Sequence, residues 1–282
     1  MSNRNSKANK AAARERLREE RARQAKREKL RRRLIVGGSI VAVLGLAAGV
    51  GVAVANMGGS DSAVSHEDWV SAAKKSKFAQ PANTTGDKGT VVVVGDKKAK
   101  NTLEVYEDMR CPVCAAFEQT TGEAVLKGMK DGKYKLQFTM GTFLDENITP
   151  KGSGSKNALS ALGAALNVSP DAFLEYKKAL FSADNHPDER EDEFAEDAKL
   201  IKIAQQVKEL KGNKDFEKAV GDGTYDQWAL AMSDRFNSAK DVKGTPTVKL
   251  NGTRLTAPGA DTAPMTPEQF NSAVDKALAG KS

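Results

Sequence analysis

Hydrophobic and polar positions divide the chain into a polar tail, one long apolar run and a region of mixed periodicity. Residues 34–57 are 24 consecutive positions without a charged side chain. At a rise of ~1.5 Å per residue, a helix of this length spans a ~30 Å hydrocarbon core. Residues 1–33 before it have no apolar face. The pattern therefore predicts a solvated tail and a transmembrane anchor, followed by a folded region.

Short apolar runs and alternating segments predict the strands of a sheet. Residues 91–94 are four valines bounded by glycine and threonine, which is typical of a buried strand. Asn251-Gly252 is a signal for a type I′ turn and predicts a hairpin late in the chain. The other predicted strands are residues 101–106, 134–140, 245–250 and 253–255.

Helical periodicity dominates the middle of the chain. A helix is predicted over residues 115–130, and residues 155–237 repeat apolar positions at helical spacing without a strand signal. One of these helices is expected over residues 193–210. Ser169-Pro170 and Thr266-Pro267 each place an N-cap residue before a proline, so a helix should begin at both. The predicted order is β, β, α, β, helical insertion, β, β, α.

These patterns predict four parts of the chain. Residues 66–78, which precede the α/β domain, have the pattern of a short amphipathic helix with Trp69, Val70, Ala73 and Phe78 as its apolar residues. A place for Trp69 at the membrane interface is the alternative. The four parts are a basic tail (1–33), a transmembrane anchor (34–57), a linker (58–85), and an α/β domain (86–282) with a helical insertion at about 155–237.

Charge is distributed unevenly between the tail and the rest of the chain. The net charge is +7, but residues 1–33 carry 14 Lys/Arg against 4 Asp/Glu, which gives +10. The remainder has 30 basic and 33 acidic residues, which gives a net charge of −3. The folded part therefore lacks the excess of positive charge that favours binding to nucleic acid. The tail could bind anionic lipid or nucleic acid, but a solvated cytoplasmic tail is the simpler interpretation.

The membrane topology follows from the position of the basic residues. Arg31–Arg33 adjoin the apolar run, so the positive-inside rule places the N-terminus in the cytoplasm and everything after Met57 outside. Ala53-Val54-Ala55 matches a signal-peptidase pattern, which leaves cleavage after Ala55 as an alternative. The long tail and the long apolar run favour an uncleaved anchor.

Candidate chemistry is concentrated in the only two cysteines, Cys111 and Cys114. Their Cys-x-x-Cys spacing falls between a predicted strand and a predicted helix, and Pro112 suits the first turn of that helix. Unpaired N–H groups and the positive end of the helix dipole would then favour a thiolate at Cys111. Arg110 adds a positive charge nearby.

Two other interpretations of the cysteine pair are weaker. A structural zinc site usually has four ligands, whereas the only histidines, His66 and His186, lie far apart in sequence. His186 lies in an acidic loop and is expected to be solvated. A structural disulfide that closes a two-residue loop would add little stability. Such a bond removes little entropy from the unfolded chain, because the entropy lost on loop closure is smaller for a shorter loop. Redox chemistry in an oxidising compartment is therefore favoured.

The combination resembles the thioredoxin superfamily. The residues that carry the resemblance are the strands at 91–94 and 103–106, Cys111-Pro112-Val113-Cys114 at a helix start, and the late Gly244-Thr245-Pro246-Thr247. The Cys-Pro-x-Cys form and the long helical insertion are similar to the DsbA-like branch. The resemblance covers roughly residues 86–282 and implies an α/β thioredoxin-like fold with an inserted helical subdomain, preceded here by one transmembrane helix.

The resemblance also implies roles for individual residues. Cys111 should be the exposed nucleophile and Cys114 the buried resolving thiol. Thr245 and a cis Pro246 should face the pair and, with Pro112 and Val113, contact an extended substrate. Glu118 resembles an acidic position of the family, although a helix-surface residue is the simpler interpretation. The family needs no cofactor or metal, and its partners are cysteine-containing exported proteins and a membrane protein that reoxidises the pair.

Three functions remain open from the sequence. The first is an anchored extracytoplasmic oxidase of exported proteins. The second is a reductase or isomerase in the same place, because oxidising members often carry histidine where this chain has Val113. The third is an anchored binding or holdase module in which the cysteine pair is incidental.

The predicted topology has a direct test. Protease added to intact cells or spheroplasts should digest the region after Met57 and leave residues 1–33 intact, because the positive-inside rule places only the tail in the cytoplasm. The products are identified with antibodies against each end of the chain. A protected C-terminal region would contradict both the topology and the oxidising compartment.

Overall fold

A computed structural model of the chain describes residues 65–148 and 151–280, which form a mixed sheet covered by helices. The predicted tail and transmembrane anchor, residues 1–33 and 34–57, lie outside this part. Among the helices of residues 65–148 and 151–280, none is long and apolar enough to cross a membrane. The anchor therefore stays a prediction.

The sheet has six strands in the order β1-β2-β4-β3-β5-β6. β3 and β4 run parallel and every other neighbouring pair in this sheet is antiparallel. The strands predicted from the sequence are present, and β1 is an additional short strand. Their bounds are β1 Thr84–Thr85, β2 Val91–Val94, β3 Thr102–Asp108, β4 Lys135–Gly141, β5 Thr247–Leu250 and β6 Thr253–Arg254.

The register of the central strands brings two distant loops together. Tyr106 of β3 lies opposite Thr247 of β5, which runs antiparallel to β3. The segment that follows β3 and the segment that precedes β5 therefore emerge at the same edge of the sheet. The cysteine pair follows β3, and Thr245-Pro246 precedes β5, so topology alone places these two motifs next to each other.

The helix that carries the cysteines begins earlier than predicted and is interrupted. It forms α2, Pro112–Thr120, and α3, Gly122–Lys130, with Thr121 between them at φ −110°. Cys111 is the N-cap and Pro112 occupies the first turn, so the helix starts at the cysteine motif itself. Two threonines followed by a glycine have low helix propensity, which accounts for the interruption.

The helical insertion surrounds one central helix, α5, whose residues 154–166 are all buried. Small residues allow its neighbours to approach closely; a Cβ at Gly163 would lie 2.9 Å from the Trp228 ring. The helix predicted over 193–210 is a 3₁₀ turn, Glu193–Ala195, followed by a short helix. The helices of this region are α4 Leu144–Asn147, α5 Gly154–Val168, α6 Pro170–Leu180, α7 Asp197–Ala204, α8 Lys214–Gly221 and α9 Asp226–Ser238.

Part of the predicted linker belongs to the folded structure. Residues 66–75 form helix α1, and its Trp69 is buried with Nε1 donating to Oδ1 of Asn157 on α5 at 3.4 Å. Asn83 donates from Nδ2 to the carbonyl of Leu166 at 2.9 Å, and β1 pairs with β2. The placement of Trp69 at a membrane interface is therefore wrong, since its ring packs against α5.

The C-terminal elements agree with their sequence signals. Asn251 and Gly252 have φ values of 52° and 81°, as the predicted type I′ turn requires. The Thr266 side chain accepts from the N–H of Gln269 and begins the last helix, α10, Pro267–Ala279.

The packing of α1 predicts a measurable contribution to stability. Trp69→Ala should lower the free energy of unfolding by about 3–5 kcal/mol, because it removes a buried aromatic side chain. Urea unfolding of the full chain measures this change. Lys74→Ala on the exposed face of the same helix is the control and should change little. If Trp69→Ala and Lys74→Ala had the same free energy of unfolding, the buried Trp69 ring would contribute little, and α1 would be only loosely attached.

Candidate active site

The cysteine motif is a tight turn that leads from β3 into α2. The N–H of Cys111 donates to the carbonyl of Asp108 at 3.0 Å, which closes the turn. As the N-cap of α2, Cys111 accepts a hydrogen bond at Sγ from the N–H of Cys114, with a distance of 3.4 Å. The sulfur therefore faces the unpaired amides of the first helical turn, where a negative charge is stabilised.

The two cysteines differ in surroundings, although neither is well exposed. Both are free thiols, and Cys111 is 6% exposed while Cys114 is fully buried. The expectation of an exposed Cys111 is therefore wrong, because the loop before β5 lies against its sulfur. Pro112 and Val113 are exposed beside it. Within residues 65–148 and 151–280, no three His, Cys, Asp or Glu side chains are grouped to hold a metal ion.

Thr245 and Pro246 lie at the cysteine turn, as the strand register requires. The Thr245–Pro246 peptide bond is cis. The Sγ–H of Cys111 donates to the main-chain carbonyl of Thr245 at 3.7 Å. The Thr245 hydroxyl is buried and has no partner among the described residues in the dithiol form. A thiolate at Cys111 would give that hydroxyl an acceptor.

Hydrogen bonds favour the thiolate of Cys111. The hydrogen bond from the Cys114 thiol is the largest contribution, and the Thr245 hydroxyl and the amides of Val113 and Cys114 add to it. Burial acts in the opposite direction, because it disfavours any charge. Together these effects lower the pKa of Cys111 to about 7.

Cys114 is affected in the opposite sense. Burial is the largest cause, and the neighbouring Cys111 and the charge of Glu107 act in the same direction. They raise the pKa of Cys114 well above its usual range. The turn therefore holds one thiol that ionises near neutral pH and one that stays protonated, which is the asymmetry that stepwise thiol–disulfide exchange requires.

A buried acid–base group acts on Cys114 through the charge of Glu107. Lys177 contacts carboxylate oxygens of Glu107 at 2.8 Å and of Glu118 at 2.7 Å. Burial raises the pKa of Glu107 to about 8, although Lys177 opposes the rise. The interpretation of Glu118 as a helix-surface residue is wrong, because its side chain is 13% exposed and shares Lys177. The sequence feature that could have indicated this buried acidic group is the pair of consecutive acids Glu107-Asp108 at the end of a predicted strand.

Arg110 does not act as a free charge beside the sulfur. Its side chain is 1% exposed, and one guanidinium nitrogen lies 3.1 Å from carboxylate oxygens of both Asp145 and Asp192. Two carboxylates therefore compensate its positive charge, and the expectation that this charge favours the thiolate is wrong. Hydrogen bonds of the helix start and of Thr245 stabilise the thiolate instead.

His186 is also placed differently from the expectation. It is not a solvated loop residue: its ring stacks on Phe181 at 5.7 Å and meets Phe194 edge-on at 5.9 Å. Its Nε2 lies 3.0 Å from the carbonyl of Met109, two residues before Cys111. Burial lowers the pKa of His186, so the neutral ring is favoured. The local sequence carried no signal of this contact.

Known proteins that are similar to this chain include thiol–disulfide oxidoreductases. A family model described as thioredoxin matches residues 87–276. The disulfide bond oxidoreductase DsbG of Mycobacterium tuberculosis, in its reduced form, is 28% identical and superposes with a TM-score of 0.52 over 67% of this chain and 95% of its own. DsbA of the same organism is 27% identical, with a TM-score of 0.51 over 68% of this chain and all of its own.

More distant matches carry less information. BdbD of Bacillus subtilis is 20% identical over 72% of this chain and 98% of its own, with a TM-score of 0.52, and shows a shared fold only. The kinase PknE of M. tuberculosis is 24% identical over 116 residues, 41% of this chain. That segment is one fifth of the kinase's length. The family match shows that the chain belongs to the thioredoxin family. Together with the two oxidoreductase structures and the paired thiols, it identifies the chain as a DsbA-like protein thiol–disulfide oxidoreductase.

Proposed function

We propose that this protein oxidises cysteine pairs of exported proteins through a Cys111–Cys114 disulfide. The observation that carries the proposal is the geometry of the pair: the Cys111 sulfur caps the helix and accepts from the N–H of Cys114, whereas the Cys114 side chain is fully buried. These surroundings displace the two thiol pKa values in opposite directions. A low pKa makes Cys111 the better leaving group and the better thiolate at neutral pH, whereas Cys114 is kept protonated.

The exchange proceeds through a mixed disulfide. A client thiolate attacks Sγ of Cys111 in the oxidised pair, the bond between Cys111 and Cys114 breaks, and Cys114 leaves with the bonding electrons. The second client thiolate then attacks the client sulfur of the mixed disulfide and expels Cys111 as a thiolate. The client pair is oxidised by two electrons, and the protein pair is reduced by the same two.

Cys114 needs a proton as it leaves, because its thiolate is strongly disfavoured. Glu107 is suited to supply that proton, since burial raises its pKa to about 8 and its charge acts directly on Cys114. Lys177 stabilises the carboxylate that remains, whereas the neighbouring Glu118 acts against it. The same carboxylate accepts the proton back when the pair is reoxidised.

The client should bind along the exposed Pro112 and Val113 and the half-buried Thr245, with Pro246 buried behind them in the same loop. Val113 is 50% exposed and offers an apolar contact directly beside Cys111. Thr245 contacts the Cys111 sulfur through its carbonyl, so a client strand that lies against this loop has its cysteine next to the nucleophile. An extended client backbone suits such a contact, because it presents free N–H and C=O groups.

The proposed location is the outer face of the cell membrane, with residues 34–57 as a single anchor and the N-terminus in the cytoplasm. Support comes from the apolar run beside Arg31–Arg33 and from the absence of a third cysteine, which suits an oxidising compartment. A membrane partner would then reoxidise the pair.

Reduction or isomerisation at the same location is the second candidate. The observation that favours it is the pKa of Cys111, about 7. That value is close to the ~7 of thioredoxin and far from the ~3.5 of the strong oxidant DsbA. The neutral side chain of Val113 adds no charge that would lower the pKa further. The binding or holdase function requires the cysteines to be dispensable, which the variants below test.

The contribution of Thr245 to the thiolate is testable by a substitution of similar shape. Thr245→Val removes the hydroxyl and should raise the pKa of Cys111, because a hydrogen bond to a charged group is worth ~1.5–3 kcal/mol. Below that pKa, alkylation of Cys111 should slow about tenfold. The wild-type rate should rise with pH and level off above about 7. An identical pH profile in the wild type and in Thr245→Val would show that the hydroxyl does not stabilise the Cys111 thiolate.

The roles of the two cysteines are tested by trapping. Cys114→Ala should accumulate mixed disulfides with clients through Cys111, because no resolving thiol remains. Cys111→Ala is the matched control and should trap little, since Cys114 is buried and stays protonated. Adducts are counted on non-reducing gels, together with oxidation of a reduced dithiol peptide by the wild type. If both single variants kept full activity in the cell, the binding or holdase module would be favoured.

A further inference from the structure

The three residues that precede Cys111 are each held by the helical insertion. Asp108 accepts a 2.5 Å hydrogen bond from Oγ of Ser155 on α5. The carbonyl of Met109 accepts from Nε2 of His186. Arg110 is held through its guanidinium group, which contacts Asp145, Glu189 and Asp192. The turn that presents the nucleophile is therefore fixed at three successive positions from outside the thioredoxin-like sheet.

His186 is held so that it can act only as a donor to this turn. A carbonyl oxygen accepts hydrogen bonds, so the 3.0 Å contact with Met109 requires a proton on Nε2. Phe181 and Phe194 enclose the ring on two sides. The ring is therefore fixed in orientation by packing, and the orientation aims its N–H at the backbone of the turn.

Arg110 ties the turn to the helical insertion by three contacts, two of them with the segment that contains His186. One terminal nitrogen lies 3.1 Å from Asp145 and 3.1 Å from Asp192, and the other donates to the carbonyl of Glu189 at 3.1 Å. Asp192 in turn accepts from the N–H of Ser153 at 2.8 Å, at the start of α5. Residues 186–192, which we name the strap, thus connect the nucleophile turn to the central helix of the insertion.

The direction of the Cys111 side chain depends on this turn. An N-cap residue stabilises its helix only if its side chain reaches the amide three residues ahead, and here that contact is 3.4 Å from Sγ to the N–H of Cys114. Rotation of the backbone at Met109 or Arg110 would move the sulfur away from that amide and from the Thr245 loop. The thiolate would then lose the groups that stabilise it.

We propose that the strap positions the nucleophile, with His186 and Arg110 as positioning residues that hold the Cys111 sulfur against the first turn of α2. The inference rests on the proposed role of Cys111 as nucleophile. It assigns to the helical insertion a function in the reaction itself, namely control of the reactivity of Cys111 through the backbone of residues 108–110.

A merely structural role for His186 makes a different prediction. Loss of a buried hydrogen bond lowers the free energy of unfolding wherever it occurs, but it leaves the ionisation of a distant thiol unchanged. The decisive readout is therefore the pH profile of Cys111 alkylation in the reduced full-length protein. Unfolding by urea is measured in parallel for every variant.

Two substitutions separate the donor of His186 from its ring. His186→Phe keeps the aromatic packing and removes the N–H, so Cys111 alkylation below its pKa should slow about tenfold as that pKa rises. His186→Gln keeps an N–H donor at a similar position and should recover most of the rate. Tyr176→Phe is the matched control: it removes the buried hydrogen bond to the Leu200 carbonyl, also within the insertion, and should leave the profile unchanged.

Arg110→Lys separates geometry from charge. Lysine keeps the positive charge but lacks the planar fork that contacts Asp145, Asp192 and Glu189 together. The proposal predicts slowed alkylation of Cys111 in this variant, with its pH profile displaced upward as in His186→Phe. A wild-type profile in Arg110→Lys together with a displaced profile in Arg110→Met would assign the effect to charge and overturn the positioning role of Arg110.

The proposal as a whole is overturned if His186→Phe and Arg110→Lys both keep the wild-type pH profile while they lower stability as Tyr176→Phe does. It is also overturned if His186→Gln behaves like His186→Phe, because the donor would then be irrelevant. Failure of the proposed function is a separate result: the wild type would not oxidise a dithiol peptide, or Cys111→Ala would remain active.

Discussion

The structure depends on one contact, the sulfur of Cys111 against the amides that begin α2. That contact requires β3 to end where it does, because Asp108 is both the last residue of the strand and the acceptor that closes the turn. It also requires β5 to start beside β3, since Thr245 reaches the sulfur only through that register. The insertion holds the same turn from its other side. The sheet topology and the helical insertion therefore both determine the position of the Cys111 sulfur.

The chemical asymmetry of the pair arises from burial combined with direction. Both cysteines are shielded from water, which disfavours a thiolate at either of them. Several donors face the Cys111 sulfur and outweigh burial there, whereas at Cys114 burial outweighs the one backbone hydrogen bond, from Asp108. Cys114 therefore exchanges a proton each time the disulfide opens or closes. Burial brings the ionisation of Glu107, which contacts Lys177, close to neutral pH, and that of Asp108 as well.

The sequence predicted the features that depend on neighbours along the chain. The cysteine pair at a strand–helix junction, the Asn251-Gly252 turn and the helix that begins at Pro267 have local signals, and all are present. The features that were missed depend on distant partners. His186 contacts a carbonyl 77 residues away, and Trp69 donates to a side chain 88 residues away. A charged residue such as Arg110 has the same local sequence whether it is solvated or buried between two carboxylates.

The measurement that tests this account most directly is the reduction potential of the Cys111–Cys114 pair, determined by equilibration with glutathione. Helix amides, the Cys114 thiol and Thr245 stabilise the thiolate without any side-chain charge. The account therefore predicts a potential between ~−270 mV and ~−120 mV, the values of thioredoxin and DsbA. A value near the upper end of this range favours oxidation of clients, and one near the lower end favours reduction or isomerisation. A value at or below ~−270 mV would mean that these hydrogen bonds do not favour the reduced form.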